Sequence, residues 1–109
     1  MPEVRELADG LGFPEGPVVL PDGSLAVCEI KGQRITRIDA DGNKETIAET
    51  GGGPNGAQLG PDGKLYVCNN GAAFDFVDMG GLTVTHQPPS APYKGVIMTP
   101  LRNGVPSRR

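Results

Sequence analysis

Two residues in this chain carry a side-chain oxygen at matched places. Glu15 stands in F-P-E-G-P and Asn55 in G-P-N-G, 40 residues apart, each between a proline and a glycine. A carboxylate and an amide carbonyl are hard oxygen donors, the kind that Ca2+, Mg2+ or Mn2+ prefers. The same residue types between Pro and Gly also suit plain turn positions, so on the residues alone both readings stand. The other candidates lack company. His86 is the single histidine, beside a proline-rich stretch and with no serine in a nucleophile elbow, and reads as a surface residue. Asp75 and Asp78 lie on an alternating segment at an odd separation, which points them to opposite faces and argues against a carboxylate pair. Arg34 and Arg37 read as the solvated part of a strand, and Asp22 and Asp62 as turn residues.

The elements that must position Glu15 and Asn55 are written twice. Residues 14–28 read P-E-G-P-V-V-L-P-D-G-S-L-A-V-C and residues 54–68 read P-N-G-A-Q-L-G-P-D-G-K-L-Y-V-C, without a gap. A period of about 40 residues with short apolar runs and tight turns is the signature of stacked β-propeller blades. The first copy reads as four strands: 16–20, 24–30, 34–39 and 44–48. Pro21-Asp22-Gly23 joins the first two, with Pro setting φ and Gly taking the left-handed corner. Ala40-Asp41-Gly42-Asn43 closes the last hairpin. The second copy repeats the plan at 56–59 and 64–69, with 74–79 (F-D-F-V-D-M) and 82–85 expected as its third and fourth strands. Ahead of both copies, Val4, Leu7 and Leu11 suit one helical face, with Gly10 and Gly12 limiting any helix to a turn or two.

Cys28 and Cys68 share one repeat position and read as small buried hydrophobes. A disulfide between equivalent points of neighbouring blades is not expected in a reducing compartment, and no C-x-x-C or Cys/His cluster indicates zinc. Net charge is −3 with no basic stripe, which argues against nucleic acid as a partner. No secretory pattern and no membrane-length apolar run is visible, so a cytoplasmic protein away from the membrane is expected. The 17 glycines and 11 prolines fall at turns rather than in one block, which favours many short strands over disorder.

Several motifs in order resemble the SMP-30/gluconolactonase/luciferin-regenerating-enzyme family: Phe13-Pro14-Glu15-Gly16-Pro17, P-D-G-x-L-x-V-C, Arg34-Ile35-Thr36-Arg37-Ile38, Gly52-Gly53-Pro54-Asn55-Gly56 and Leu65-Tyr66-Val67-Cys68-Asn69-Asn70-Gly71. The resemblance implies an all-β, six-bladed propeller that opens sugar lactones with a divalent metal in its central channel. It implies Ca2+ first, with Zn2+, Mg2+ or Mn2+ as alternatives. Glu15 falls on the family's first metal ligand. Asn55 falls on the channel asparagine near the metal and substrate, and Asn69 and Asn70 at the rim near substrate. Gly53 stands where some members carry a substrate-touching arginine. The family's further Asn and Asp ligands, the Asp also being its general base, have no counterpart here, so no catalytic residue is assigned. Tyr93-Lys94-Gly95-Val96-Ile97-Met98 departs from the family's usual strand.

The expected organisation is a lead-in (1–13), blade one (14–53), blade two (54–87) and a divergent, loosely structured tail (88–109). Propellers close with about 4 to 8 blades. Two do not close a ring, which points to a fragment; the resemblance then implies the N-terminal part of a lactonase with a lactone or sugar-acid ligand, incomplete as a catalyst on its own. The alternatives are a non-catalytic scaffold or interaction module, and a two-blade subunit that self-associates into a ring.

Overall fold

The computed structural model describes residues 3–72, 74–86, 99–102 and 105–106. All regular structure among them is antiparallel β. The first sheet is a meander of β1 (Pro14–Val19), β2 (Leu25–Glu29), β3 (Arg34–Ile38) and β4 (Lys44–Glu49), hydrogen-bonded in that order. Its turns are built as their residues require. In Pro21-Asp22-Gly23, Gly23 sits at φ 87°, and the Asp22 carboxylate accepts from the Ser24 amide at 2.9 Å and from its hydroxyl at 2.5 Å. These bonds and the Arg37 guanidinium hold the Asp22 carboxyl far below its usual range. The second copy repeats the device: the Asp62 carboxylate accepts from the Lys64 amide at 3.0 Å and from the Tyr66 hydroxyl at 2.5 Å.

The second sheet contains β5 (Pro54–Leu59) and β6 (Lys64–Asn69), as the repeat predicts. Its next strands differ from expectation. The order is β5-β6-β9-β10, with β9 at Thr99–Arg102 and β10 at Val105–Pro106. β7 (Asp75–Met79) and β8 (Leu82–His86) are strands but form a separate hairpin, in register from Asp75↔His86 to Met79↔Leu82. Period-two alternation identifies a strand without naming its neighbour. Gly80-Gly81, both at positive φ, lets this pair close locally, where loop closure costs least. The edge of β6 is instead filled from the stretch expected to be loose, with Leu65↔Leu101 and Val67↔Thr99 as partners. The remainder of the expected tail, residues 88–98, 103–104 and 107–109, lies outside the described residues.

The core lies between the two sheets. Leu20, Ala26, Cys28, Ile35 and Ile47 of the first meet Leu65 and Val67 of the second, with Val18, Ala48, Ala57 and Leu59 at the margins. Each fully buried aliphatic side chain here contributes about 1.5–3 kcal/mol. Along β2, Ala26 and Cys28 take this inner face, so Val27 and Glu29 face the other way.

The lead-in docks at that outer side and forms no helix. Glu29 is buried, and its carboxylate accepts from the Gly12 amide at 2.6 Å, from Arg34 at 2.9 and 3.0 Å, and from the Thr36 hydroxyl. Phe13 and Gly12 carbonyls accept from the Ile30 and Lys31 amides at 3.1 and 3.0 Å, and Lys44 Nζ donates to the Asp9 carbonyl at 2.5 Å. Backbone groups that a helix would have paired within itself are thereby paired with the sheet. Among the described residues no helix is long and apolar enough to cross a membrane.

Candidate metal and substrate site

Both innermost strands bulge at the repeated P-x-G. In β1 the register slips between Glu15 and Val18. In β5 it slips between Pro54 and Gly56, leaving Asn55 as the extra residue. Bulges re-aim side chains and are common beside active sites. The glycines let the two strands touch: Gly16 has φ 60°, and a Cβ placed on it would lie 3.1 Å from the Gly56 Cα. Glu15 and Asn55 each immediately precede one of these glycines. They therefore sit at adjoining positions at one end of both sheets, and both are exposed. The structure places both predicted residues at the same end of the two sheets.

The surrounding electrostatics are consistent with this placement. Glu15 pairs with Cys28 across β1–β2, and Gly56 with Cys68 across β5–β6. The Cys28 thiol is pushed up to about 11, by burial first and then by the neighbouring Cys68 and Glu15. Unlike Glu29, Asp22, Asp39 and Asp62, whose carboxylates hold turns or the lead-in, Glu15 forms no hydrogen bond or ion pair among the described residues.

Glu15 and Asn55 can supply two hard oxygens to one face of a cation. No group of three or more His, Cys, Asp or Glu side chains arranged for a metal occurs among the described residues. The donor set fits a hard divalent ion in kind, and it fills two of the six to eight positions Ca2+ takes.

Asn69 and Asn70 take different roles. Asn69 is buried and its amide bonds to backbone: Oδ1 accepts from Gly53 at 2.9 Å and Gly71 at 2.8 Å, and Nδ2 donates to the Gly51 carbonyl at 2.9 Å. It therefore positions the loop leading into Pro54-Asn55. Asn70 donates its backbone N–H to the Gly53 carbonyl at 2.9 Å, and its Oδ1 accepts from the Ala72 amide at 2.9 Å. Its residue borders a cleft of about 360 Å3 at this end of the sheets. A Cβ on Gly52 or Gly53 would fall 2.3 Å from Oδ1 of Asn69 or Asn70 respectively, so these two amides occupy the space a side chain at either glycine needs.

Sequence reasoning missed Glu29 and the cleft. The signal for Glu29 was present in A-V-C-E-I: a charge at an alternating position of a strand buried on both faces, five residues before Arg34 across a tight turn. Burial opposes its ionisation. The bonds from Arg34, Gly12 and Thr36 outweigh that and hold the carboxyl at about 2.

The model of the SMP-30/Gluconolactonase/LRE-like region family matches residues 13–97. The chain belongs to this family. Among solved structures, it is similar to the PQQ-bound form of aldose sugar dehydrogenase from Streptomyces coelicolor, with a TM-score of 0.58 and 24% identity. The match covers 91% of this chain and 34% of that one, so the chain spans about a third of its structural neighbour. At that identity the likeness speaks for the fold alone, two blades of a β-propeller. No curated protein matches the chain significantly.

Proposed function

We propose that this chain contributes the first part of a divalent-cation site in a lactone-opening propeller, with Glu15 and Asn55 as its donors and a sugar lactone or sugar acid as ligand. The observation that carries the proposal is the contact of β1 and β5 at Gly16 and Gly56, the residues next to Glu15 and Asn55, both of which are exposed. Family membership supports the reaction class.

A divalent cation, when bound, supplies charge that polarises the lactone carbonyl. The residues of this chain do the holding. The Glu15 carboxylate contributes the negative charge that retains the ion. The Asn55 amide has both an acceptor oxygen and a donor NH2, so it can bind the ion or orient a substrate hydroxyl. Asn69 fixes the glycine loop ahead of Asn55 and so limits where its amide can lie. In the overall step water adds to the carbonyl carbon, the ring C–O bond breaks, and a proton passes to the departing ring oxygen. Neither Glu15 nor Asn55 is assigned as the base.

The test is calorimetric titration of the chain with Ca2+, alone and with an aldonic acid present. Ca2+ binding that is lost in Glu15→Gln supports the reading. Equal binding in wild type and Glu15→Gln, or none in either, contradicts it.

A further inference from the structure

In an Asn-Gly pair the asparagine side chain is open to attack by the next backbone nitrogen, because glycine has no Cβ to hinder the approach. The sequence holds three such pairs: Asn55-Gly56, Asn70-Gly71 and Asn103-Gly104. The last lies outside the described residues. The fold treats the other two in opposite ways.

Asn70-Gly71 is locked. Asn70 is buried, and its Oδ1 accepts from the Ala72 amide at 2.9 Å. The Gly71 nitrogen, which would have to attack, donates its N–H to Asn69 Oδ1 at 2.8 Å. The Asn70 N–H donates to the Gly53 carbonyl at 2.9 Å and ties the segment to the glycine loop. Ring closure there requires hydrogen bonds to break at a buried place.

Asn55-Gly56 is open. Asn55 is exposed, and its side-chain amide forms no hydrogen bond among the described residues. It is the extra residue of the β5 bulge, where the ladder to β6 is interrupted. β5 is the edge strand of its sheet, and Pro54, one residue earlier, has no N–H to give the ladder. Gly56↔Cys68 is therefore the first regular pair after the bulge, at the end of an edge strand, where local opening costs little. Nothing lies within 4 Å of the place a Cβ on Gly56 would take.

We propose that Asn55-Gly56 is a self-modification site, at which Asn55 deamidates through a cyclic imide. The Gly56 nitrogen gives up its proton and attacks Cγ of Asn55. The new C–N bond closes a succinimide ring, the Cγ–Nδ2 bond breaks, and the proton leaves with the ammonia. Water then opens the ring. Attack at Cγ gives aspartate, and attack at the backbone carbonyl carbon gives isoaspartate, which lengthens the main chain by one carbon. No oxidant or cofactor enters. Either product replaces a neutral amide by a carboxylate at the end of the sheets that carries Glu15. The reaction thereby adds a negative charge to the donor set for a divalent cation, a consequence that rests on the cation reading above; the reaction itself does not.

The experiment is incubation of the whole chain at mildly alkaline pH over days, with peptide mass mapping of both segments at intervals. Each deamidation adds one mass unit, and the isoaspartate product separates by chromatographic retention. Asn55 is expected to convert at least about tenfold faster than Asn70, the scale of two lost hydrogen bonds. In concentrated urea the two rates should converge, because the fold no longer distinguishes the pairs. Gly56→Ala puts a methyl group on the residue that must attack and should slow conversion of Asn55 severalfold. Its Cβ enters open space, so an unchanged urea midpoint checks that the fold is intact. The mass readout needs no cation, which separates failure here from failure of the cation site. Equal rates at Asn55 and Asn70 in the folded chain, a difference that persists in urea, or indifference of Asn55 to Gly56→Ala overturns the proposal.

Discussion

Substituting alanine at Gly16, Gly23 and Gly56 separates two physical demands on glycine. Gly16 has φ 60° and a Cβ there would lie 3.1 Å from the Gly56 Cα. Gly23 has φ 87° with nothing within 4 Å of its Cβ. Gly56 is not at positive φ, and its Cβ would also point into open space. Left-handed backbone costs an L-residue about 1–2 kcal/mol. Gly23→Ala should therefore lose about that much. Gly16→Ala adds a backbone contact that only movement of β1 from β5 can relieve, for a total of about 2–4 kcal/mol. Gly56→Ala should change stability by less than about 0.5 kcal/mol. Urea unfolding at fixed pH reads all three, with the slope compared to confirm a common transition. Equal losses at Gly16 and Gly56 would mean that the repeated glycines are equivalent and that the close approach of β1 and β5 does not set their role.

Two further outcomes follow from the buried groups. Glu29→Gln should destabilise by about 1–3 kcal/mol, less than for a fully buried pair because the Arg34 side chain is 38% exposed. The Glu29 carboxyl lies at about 2 in the fold against an ordinary 4.5. Its contribution is therefore complete above about 4.5 and lost as pH falls toward 2. The difference in urea midpoint between wild type and Glu29→Gln should shrink across that window, and a constant difference would refute the role. Cys28 is buried, with its thiol pushed up to about 11, while Cys68 is half-buried. Iodoacetamide at pH 8 should modify Cys68 first and Cys28 only on unfolding, as peptide mass mapping would show.

Much of the scaffold was legible because its information is local. Pro-Asp-Gly turns and apolar runs mark β1 to β6 within a residue or two, and the 40-residue period pairs them into two like units. What lay hidden was partner choice. Nothing in F-D-F-V-D-M distinguishes a third strand of a blade from one arm of a hairpin. That depends on whether β6 is joined by 75–79 or by 99–102. Repeat symmetry puts Glu15 and Asn55 at equivalent ends of β1 and β5, and those strands approach each other at the neighbouring Gly16 and Gly56. Asn69 and Asn70 are neighbours in sequence but diverge in role, since one amide turns onto the glycine loop and the other borders the cleft.

The proposed site requires Glu15 and Asn55 to face one cation together. Paramagnetic broadening by Mn2+ tests it most directly, read on the backbone amides of a 15N-labelled chain. Selective loss of the Gly16 and Gly56 amide signals is expected at substoichiometric Mn2+, abolished in Glu15→Gln and weakened in Asn55→Ala. Broadening centred on other acidic residues, or Gly16 and Gly56 signals that persist while those are lost, would contradict it.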